Sequence, residues 1–295
     1  MTNFVPLPET VLEWGRENLL DLPWRRTRDP WEILVAEVML QQTQVQRGVD
    51  RWEVFLERFP TPVTCASSPP SQIIAHWVGL GYNRRALYLH RCAVKIEEQH
   101  GGQFPHRLDD LLALPGVGPY TARAVLAFAF EHDTAVVDTN VDRILARWSG
   151  HALTASEAQK LADRSVPVGE GWAWNQTLLD LGATVCLHRN PECARCSLVA
   201  GCAWKGDGFD PARASSRARG TQSPFEGSDR QGRGRLVTAL REEPVDVSSL
   251  AEMMGWPGES SRAERIADTL ITDGLVERVG DSYPLRRGRL ASSHQ

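Results

Sequence analysis

LPGVGPYTARAVLAF, residues Leu114 to Phe128, is the stretch on which the fold turns. "RLDDLLA" before it has a helical pattern, and so has "YTARAVLAFAF" from Tyr120 onward. Between the two lie Pro115, Gly116, Val117 and Gly118. Glycines at 116 and 118 permit positive φ, so the chain can reverse tightly and aim successive N–H groups outward. The positive end of the second helix adds to that field. A helix–hairpin–helix of this kind grips a phosphate backbone without reading bases. An ordinary turn between two helices has the same composition, and the segment alone divides evenly between the two readings.

Working outward, helical periodicity runs through residues 1–204, and strand alternation is scarce. A first helix carries Val11, Leu12, Trp14 and Leu19, and Pro30 suits the first turn of a run read from Trp31 to about Val49. Further helices are expected near 49–58, 71–78, 84–99, 107–113, 119–131, 140–148, 155–163 and 171–184. Many short helices and few strands imply an all-α domain. Residues 205–235 are rich in Gly, Ser, Asp and Arg, with seven basic residues against four acidic ones, and read as a flexible linker with a net charge of +3. Residues 236–285 read as a small winged-helix-like module: helices around Leu236–Leu240, Leu250–Met254 and 260–273, then two short strands about Gly280-Asp281. A tail, 286–295, is expected to be disordered.

The 295 residues, 42% hydrophobic and 24% charged, suit about two folded domains and exclude generic disorder. The net charge of −4 gives no global sign of nucleic-acid binding, so any such contact must come from a local surface. The longest apolar run, Val125 to Phe130, is far too short for a bilayer, and MTNFVPLPET is no secretory signal.

Two carboxylates stand in unusual company. Glu37, in "WEILVAEVMLQQTQV", has Ile33, Leu34, Leu40 and Gln41 on its helix face. Desolvation there would keep a proton on it, as a general acid requires. A helix-rim glutamate in a salt bridge is the commoner case, and only a second feature decides. That feature is "TAVVDTNVDRILARW". Asp138 ends an apolar run just before the helical pattern Val141, Ile144, Leu145, Trp148. It could be a plain N-cap. Beside helix N–H groups it would also stay ionised. One protonated and one ionised carboxylate is the division of labour for glycoside cleavage.

Cys186, Cys193, Cys196 and Cys202 follow C-x6-C-x2-C-x5-C within 17 residues. In a chain without an export signal they read as a metal site in a reducing cytosol. Zinc prefers two well-separated pairs, so one compact run of unequal spacing suits a 4Fe–4S cluster better. Cys65 and Cys92 stand apart and read as core thiols.

With "LPWR" (22–25), "EVMLQQTQV" (37–45), "GLGYNRRA" (79–86), "LPGVGPYTA" (114–122), "VVDTNVDR" (136–143) and the four cysteines, the chain resembles the helix-hairpin-helix DNA glycosylases and, within them, the MutY-type adenine DNA glycosylases. The resemblance implies a two-lobed all-α fold with an iron–sulfur loop, and removal of adenine mispaired with 8-oxoguanine or guanine in duplex DNA. It makes Glu37 the acid that protonates adenine N7 and later handles water, and Asp138 the group that stabilises the oxocarbenium sugar. Tyr120 and Asn140 support these carboxylates. Arg25 lines the adenine pocket, Gln42 and Tyr82 intercalate and wedge at the mismatch, and Leu40 lies against the displaced bases. Gly116 and Gly118 contact DNA backbone. An extruded purine needs such stacking walls and few polar contacts. Related bifunctional enzymes such as endonuclease III carry lysine where Tyr120 stands, and tyrosine cannot form an imine, so no strand nicking is expected.

The Asp138 motif reads Asp-Thr-Asn where many family members have Asp-Gly-Asn. Many also carry a β-rich MutT/Nudix-like domain, whereas the residues here past about 204 are helical in pattern with little strand, and the resemblance is not expected to extend past about residue 204. The protein is expected to act as a monomer, cytoplasmic and nucleoid-associated, without membrane partners. Two other readings compete: a glycosylase for thymine or an oxidised pyrimidine, and a non-enzymatic iron–sulfur DNA-binding regulator.

Overall fold

The computed structural model describes residues 8–215 and 224–286. Its helices, in chain order, are α1 (Pro8–Asn18), α2 (Pro30–Leu40), α3 (Val45–Arg58), α4 (Pro62–Ser67), α5 (Pro70–Ala75), α6 (Arg84–His100), α7 (Leu108–Leu112), α8 (Pro119–Phe128), α9 (Thr139–Ser149), α10 (Ala155–Ser165), α11 (Gly171–Thr184), α12 (Asp229–Glu242), α13 (Leu250–Met254) and α14 (Ser260–Thr272). The strands among the described residues are β1 (Val245–Asp246) and β2 (Ser282–Tyr283), paired antiparallel with Val245 opposite Tyr283. The all-α expectation holds. No helix among the described residues is long and apolar enough to cross a membrane.

Two compact units divide the chain. The first takes the described residues of Met1–Ile33, His106–Leu112 and Val117–Thr221. Its core forms because α9 places Val141, Ile144, Leu145 and Trp148 at helical spacing, and α11 meets them with Trp174, Leu178 and Leu181. α11 has a small residue where α9 approaches it: a Cβ on Gly182 would lie 2.6 Å from Asn140 Cβ. α7 and α8 pack together as the two arms of the hairpin.

The second unit takes the described residues of Leu34–Pro105, Ala113–Gly116 and Gln222–Gln295. Phe55, Phe59 and Trp77 are fully buried here, with the Phe55 ring centroid 4.9 Å from that of Phe59 and 5.9 Å from that of Trp77. Cys65 and Cys92 are buried too, and burial pushes both thiols up, Cys92 to about 12. In the C-terminal part, Leu236, Leu240, Met254, Ile266, Leu270 and Tyr283 form the apolar interior.

Three expectations change. The helix read from Trp31 to Val49 is broken, because Gln42 takes a left-handed φ of 56° that ends α2 at Leu40. The stretch read as linker is folded at both ends. Asp210 pairs with buried Arg147, and α12 begins at Asp229 behind the Ser228 cap. Long-range ion pairs of this sort leave no trace in local composition. The strand pair about Gly280 is reduced to isolated bridges, Val279 to Ser282 and Val276 to Leu285, and β2 instead pairs with Val245–Asp246. The tail from 287 onward lies outside the described residues, as do linker residues 216–223.

Candidate active site and metal centre

Glu37, Leu40, Gln42, Tyr82 and Gly116 fall in the second unit; Arg25, Gly118, Tyr120, Asp138, Asn140 and the four cysteines fall in the first.

α2 starts where Asp29 Oδ1 accepts from the N–H of Trp31 at 2.8 Å. Its apolar sequence leaves almost every side chain covered, and Glu37 is 9% exposed. At the far end Leu40 is half-buried and Gln42 exposed. This end is held by a residue that sequence reading passed over. Arg85, 8% exposed, donates through Nη1 to the carbonyls of Val38 (2.8 Å), Met39 (2.9 Å) and Gln41. Through Nη2 it reaches Leu80 O (2.8 Å), Gly81 O (3.1 Å) and Thr43 Oγ1 (3.1 Å). Its guanidinium also stands 5.5 Å from the Trp77 ring centroid and 5.6 Å from that of Tyr82. Burial pushes it down to about 10, so it remains charged at neutral pH. One cation therefore ties the Gln42 turn to the Tyr82 turn. Both residues are left-handed, φ 56° and 47°, a conformation that costs non-glycine residues on the order of 1 kcal/mol and concentrates at functional sites. "GLGYNRRA" contains Arg85, but nothing in it separates this buried arginine from Arg84, which is exposed.

Of the two hairpin glycines only Gly116 has positive φ, 77°, and an added Cβ there would meet Tyr88 Cβ at 2.6 Å. Gly118 is extended and precedes α8 as its N-cap, and a Cβ there would meet nothing within 4 Å. Its bareness leaves the backbone approachable rather than bent. Tyr120 is half-buried in the first turn of α8.

Asp138 caps α9. Its Oδ1 accepts from the N–H groups of Asn140 (2.7 Å) and Val141 (2.8 Å), and its Oδ2 from Asn140 Nδ2 (3.0 Å). Donors to a carboxylate are charge-assisted and short. Asn140 Oδ1 accepts in turn from Arg143 Nη2 at 2.9 Å. Arg143 also donates to Gly182 O (2.6 Å) and, through Nε, to Cys186 O (2.7 Å). A continuous set of hydrogen bonds thus runs from the carboxylate to the first cysteine. Arg25 has its own partner: it forms a bidentate pair with Asp180 at 2.6 and 2.7 Å and donates to Leu20 O.

All four loop cysteines are free thiols. Burial raises Cys186, Cys193 and Cys196, and the neighbouring sulfurs add to the rise at Cys193 and Cys196. Among the described residues no group of three or more His, Cys, Asp or Glu side chains has the arrangement of a ligated ion. The surroundings nonetheless suit sulfur. Arg147, 1% exposed, points Nη1 at Cys186 Sγ (3.3 Å), and the Lys205 N–H points at Cys202 Sγ (3.4 Å). Gly206, φ 89°, lies where a Cβ would press on Cys193 Sγ at 3.0 Å. Donors aimed at thiolates and a cleared backbone fit an iron–sulfur group.

The HhH-GPD superfamily base excision DNA repair protein family matches residues 35–167. The adenine DNA glycosylase of Mycolicibacterium smegmatis is 39% identical over 279 residues, 93% of this chain and 94% of that protein. That of Mycobacterium tuberculosis is 38% identical over 278 residues, 92% of this chain and 90% of its own. Coverage of this extent passes residue 204, so the likeness reaches beyond the motifs into the C-terminal segment. A solved thermostable thymine-DNA glycosylase is 30% identical with a TM-score of 0.63, covering 67% of this chain and 94% of that one. Sequence motifs, helical architecture and near full-length likeness agree: the chain belongs to the HhH-GPD superfamily of base excision DNA repair proteins, within its MutY-type adenine DNA glycosylases.

Proposed function

We propose that this glycosylase hydrolyses the N-glycosidic bond of adenine mispaired with 8-oxoguanine or guanine in duplex DNA. The observation that carries the chemistry is the Asp138 carboxylate, held by three N–H donors at the start of α9. A carboxylate so fixed is a ready counter-charge for an oxocarbenium sugar, and pre-oriented charge needs no reorganisation during reaction. Glu37, nearly enclosed on an apolar helix, serves as the general acid toward adenine N7 and then directs water. Tyr120 and Asn140 assist, Arg25 borders the base pocket, and Leu40, Gln42 and Tyr82 enter the duplex. Gly116 and Gly118 present backbone N–H groups to phosphate. Tyr120 offers no amine, so the strand stays intact after base release.

A 4Fe–4S cluster on Cys186, Cys193, Cys196 and Cys202 would staple the loop and supply a redox-active centre. Arg147, Lys205 and Gly206 are the groups of this chain that make room and hydrogen bonds for it. The enzyme works as a monomer in the cytoplasm, on the nucleoid.

Single-turnover base release from a duplex with adenine opposite 8-oxoguanine tests the reading. Glu37→Gln should slow it at least about 100-fold; wild-type rates in that variant would end the assignment. The thymine-DNA glycosylase likeness favours a second reading, release of mispaired thymine, and the same assay on a thymine-mismatch duplex decides between them.

A further inference from the structure

Arg230 lies in the first turn of α12, two residues past the Ser228 cap. Its Nη1 donates to the Tyr82 hydroxyl at 2.7 Å. The guanidinium stands 5.6 Å from the Tyr82 ring centroid and 5.1 Å from that of Phe225. Its neighbour Asp229 is committed to Arg262 and Arg265. The same side of the C-terminal segment is fastened to the first half of α6, where Arg84 pairs with Asp273 at 3.2 Å and Arg91 donates to the Asp273 carbonyl at 3.1 Å. Tyr82 is thus held twice, by Arg85 beside its ring and by Arg230 at its hydroxyl.

We infer that Arg230 is a positioning residue for Tyr82, through which the C-terminal segment takes part in reading the mismatch. The inference rests on Tyr82 being the wedge at the mismatch. A wedge that is ordered before DNA binds does not lose side-chain freedom on binding. The C-terminal segment then acts on the mismatch through the phenol it holds.

A double-mutant cycle on the full-length protein tests this. Arg230→Ala, Tyr82→Phe and the double variant are compared on a duplex with 2-aminopurine beside an adenine opposite 8-oxoguanine. Fluorescence rise on binding reports unstacking, and single-turnover release reports chemistry. Each single variant should lower both by about ten- to a hundredfold, as loss of a charged hydrogen bond implies. The double variant should be no lower than either single, because both changes remove one interaction. Arg230→Lys should recover part of the loss, and thermal midpoints should stay put. Losses that multiply in the double variant would overturn the inference. So would a loss confined to low salt, which marks a phosphate contact, or wild-type behaviour of Arg230→Ala. Should Arg230→Ala fold poorly, Arg230→Met keeps the stem and completes the cycle. A wild-type protein that neither unstacks nor releases the base refutes the substrate reading and the inference with it. Normal wild-type release with indifferent variants refutes the inference alone.

Discussion

A buried guanidinium is costly unless its hydrogens are used, and the two Nη groups of Arg85 use theirs on five carbonyls and one hydroxyl, leaving Nε unpaired. It also meets the negative end of α2, which favours a cation. Arg85→Met would leave those acceptors buried and unpaired, a loss of about 3 kcal/mol in urea unfolding. Lysine, with three donors, should restore only part. Asp138 separates chemistry from stability. Asn is nearly as good an N-cap as Asp, so Asp138→Asn should fold with a thermal midpoint close to wild type. Its single-turnover rate should fall roughly 100- to 1000-fold, as for loss of one pre-oriented electrostatic contact. A rate loss matched by an equal loss of stability would assign Asp138 to the fold alone.

At the scale of elements, α9 is the member that couples parts. Its cap is Asp138, its first turn holds Asn140, and one turn on Arg143 reaches α11 and the cysteine loop. Arg143→Ala should therefore reduce base release about tenfold and also loosen the loop, read as faster bleaching of any cluster absorbance near 400 nm under chelator. The approach of α11 to α9 depends on Gly182, where a Cβ would sit 2.6 Å from Asn140. Gly182→Ala should displace Asn140, loosen its two hydrogen bonds to Asp138 and lower the rate. α12 depends on a conventional device: Ser228 Oγ accepts from the Gln231 N–H at 3.3 Å. Ser228→Ala should cost about 1 kcal/mol.

At the scale of the molecule, the segment after the cysteines is bound back by a buried ion pair, Arg147 with Asp210, which are 1% and 7% exposed. Burial opposes ionisation of Asp210, but the hydrogen bonds from Arg147 and the Ala212 N–H outweigh it and hold the carboxyl below its usual range. A folded-state pKa below the unfolded value adds stability above the unfolded pKa, lost as pH falls through the folded one. The wild type should therefore lose stability below about pH 4 more steeply than Asp210→Asn, measured by urea midpoints across pH. At pH 7 Asp210→Ala should cost about 3 kcal/mol, since it strands a buried cation.

The sequence by itself determined the helical class, the hairpin and the cysteine spacing, and it singled out the two acidic positions as candidates. These are written in local signals: apolar spacing, paired glycines, cysteine intervals and a capping aspartate before an apolar helix. What only the tertiary structure decided is which of the arginines are structural. Arg85, Arg143, Arg147 and Arg230 look like any other surface arginine along the chain, yet each finds acceptors remote in sequence. The break after Leu40 is of the same kind. Its left-handed Gln42 has no glycine to announce it, and the turn is held by a cation more than forty residues away. Local propensity acts over a few residues, whereas a guanidinium satisfies whatever carbonyls the folded chain brings to it, and no local pattern records that meeting.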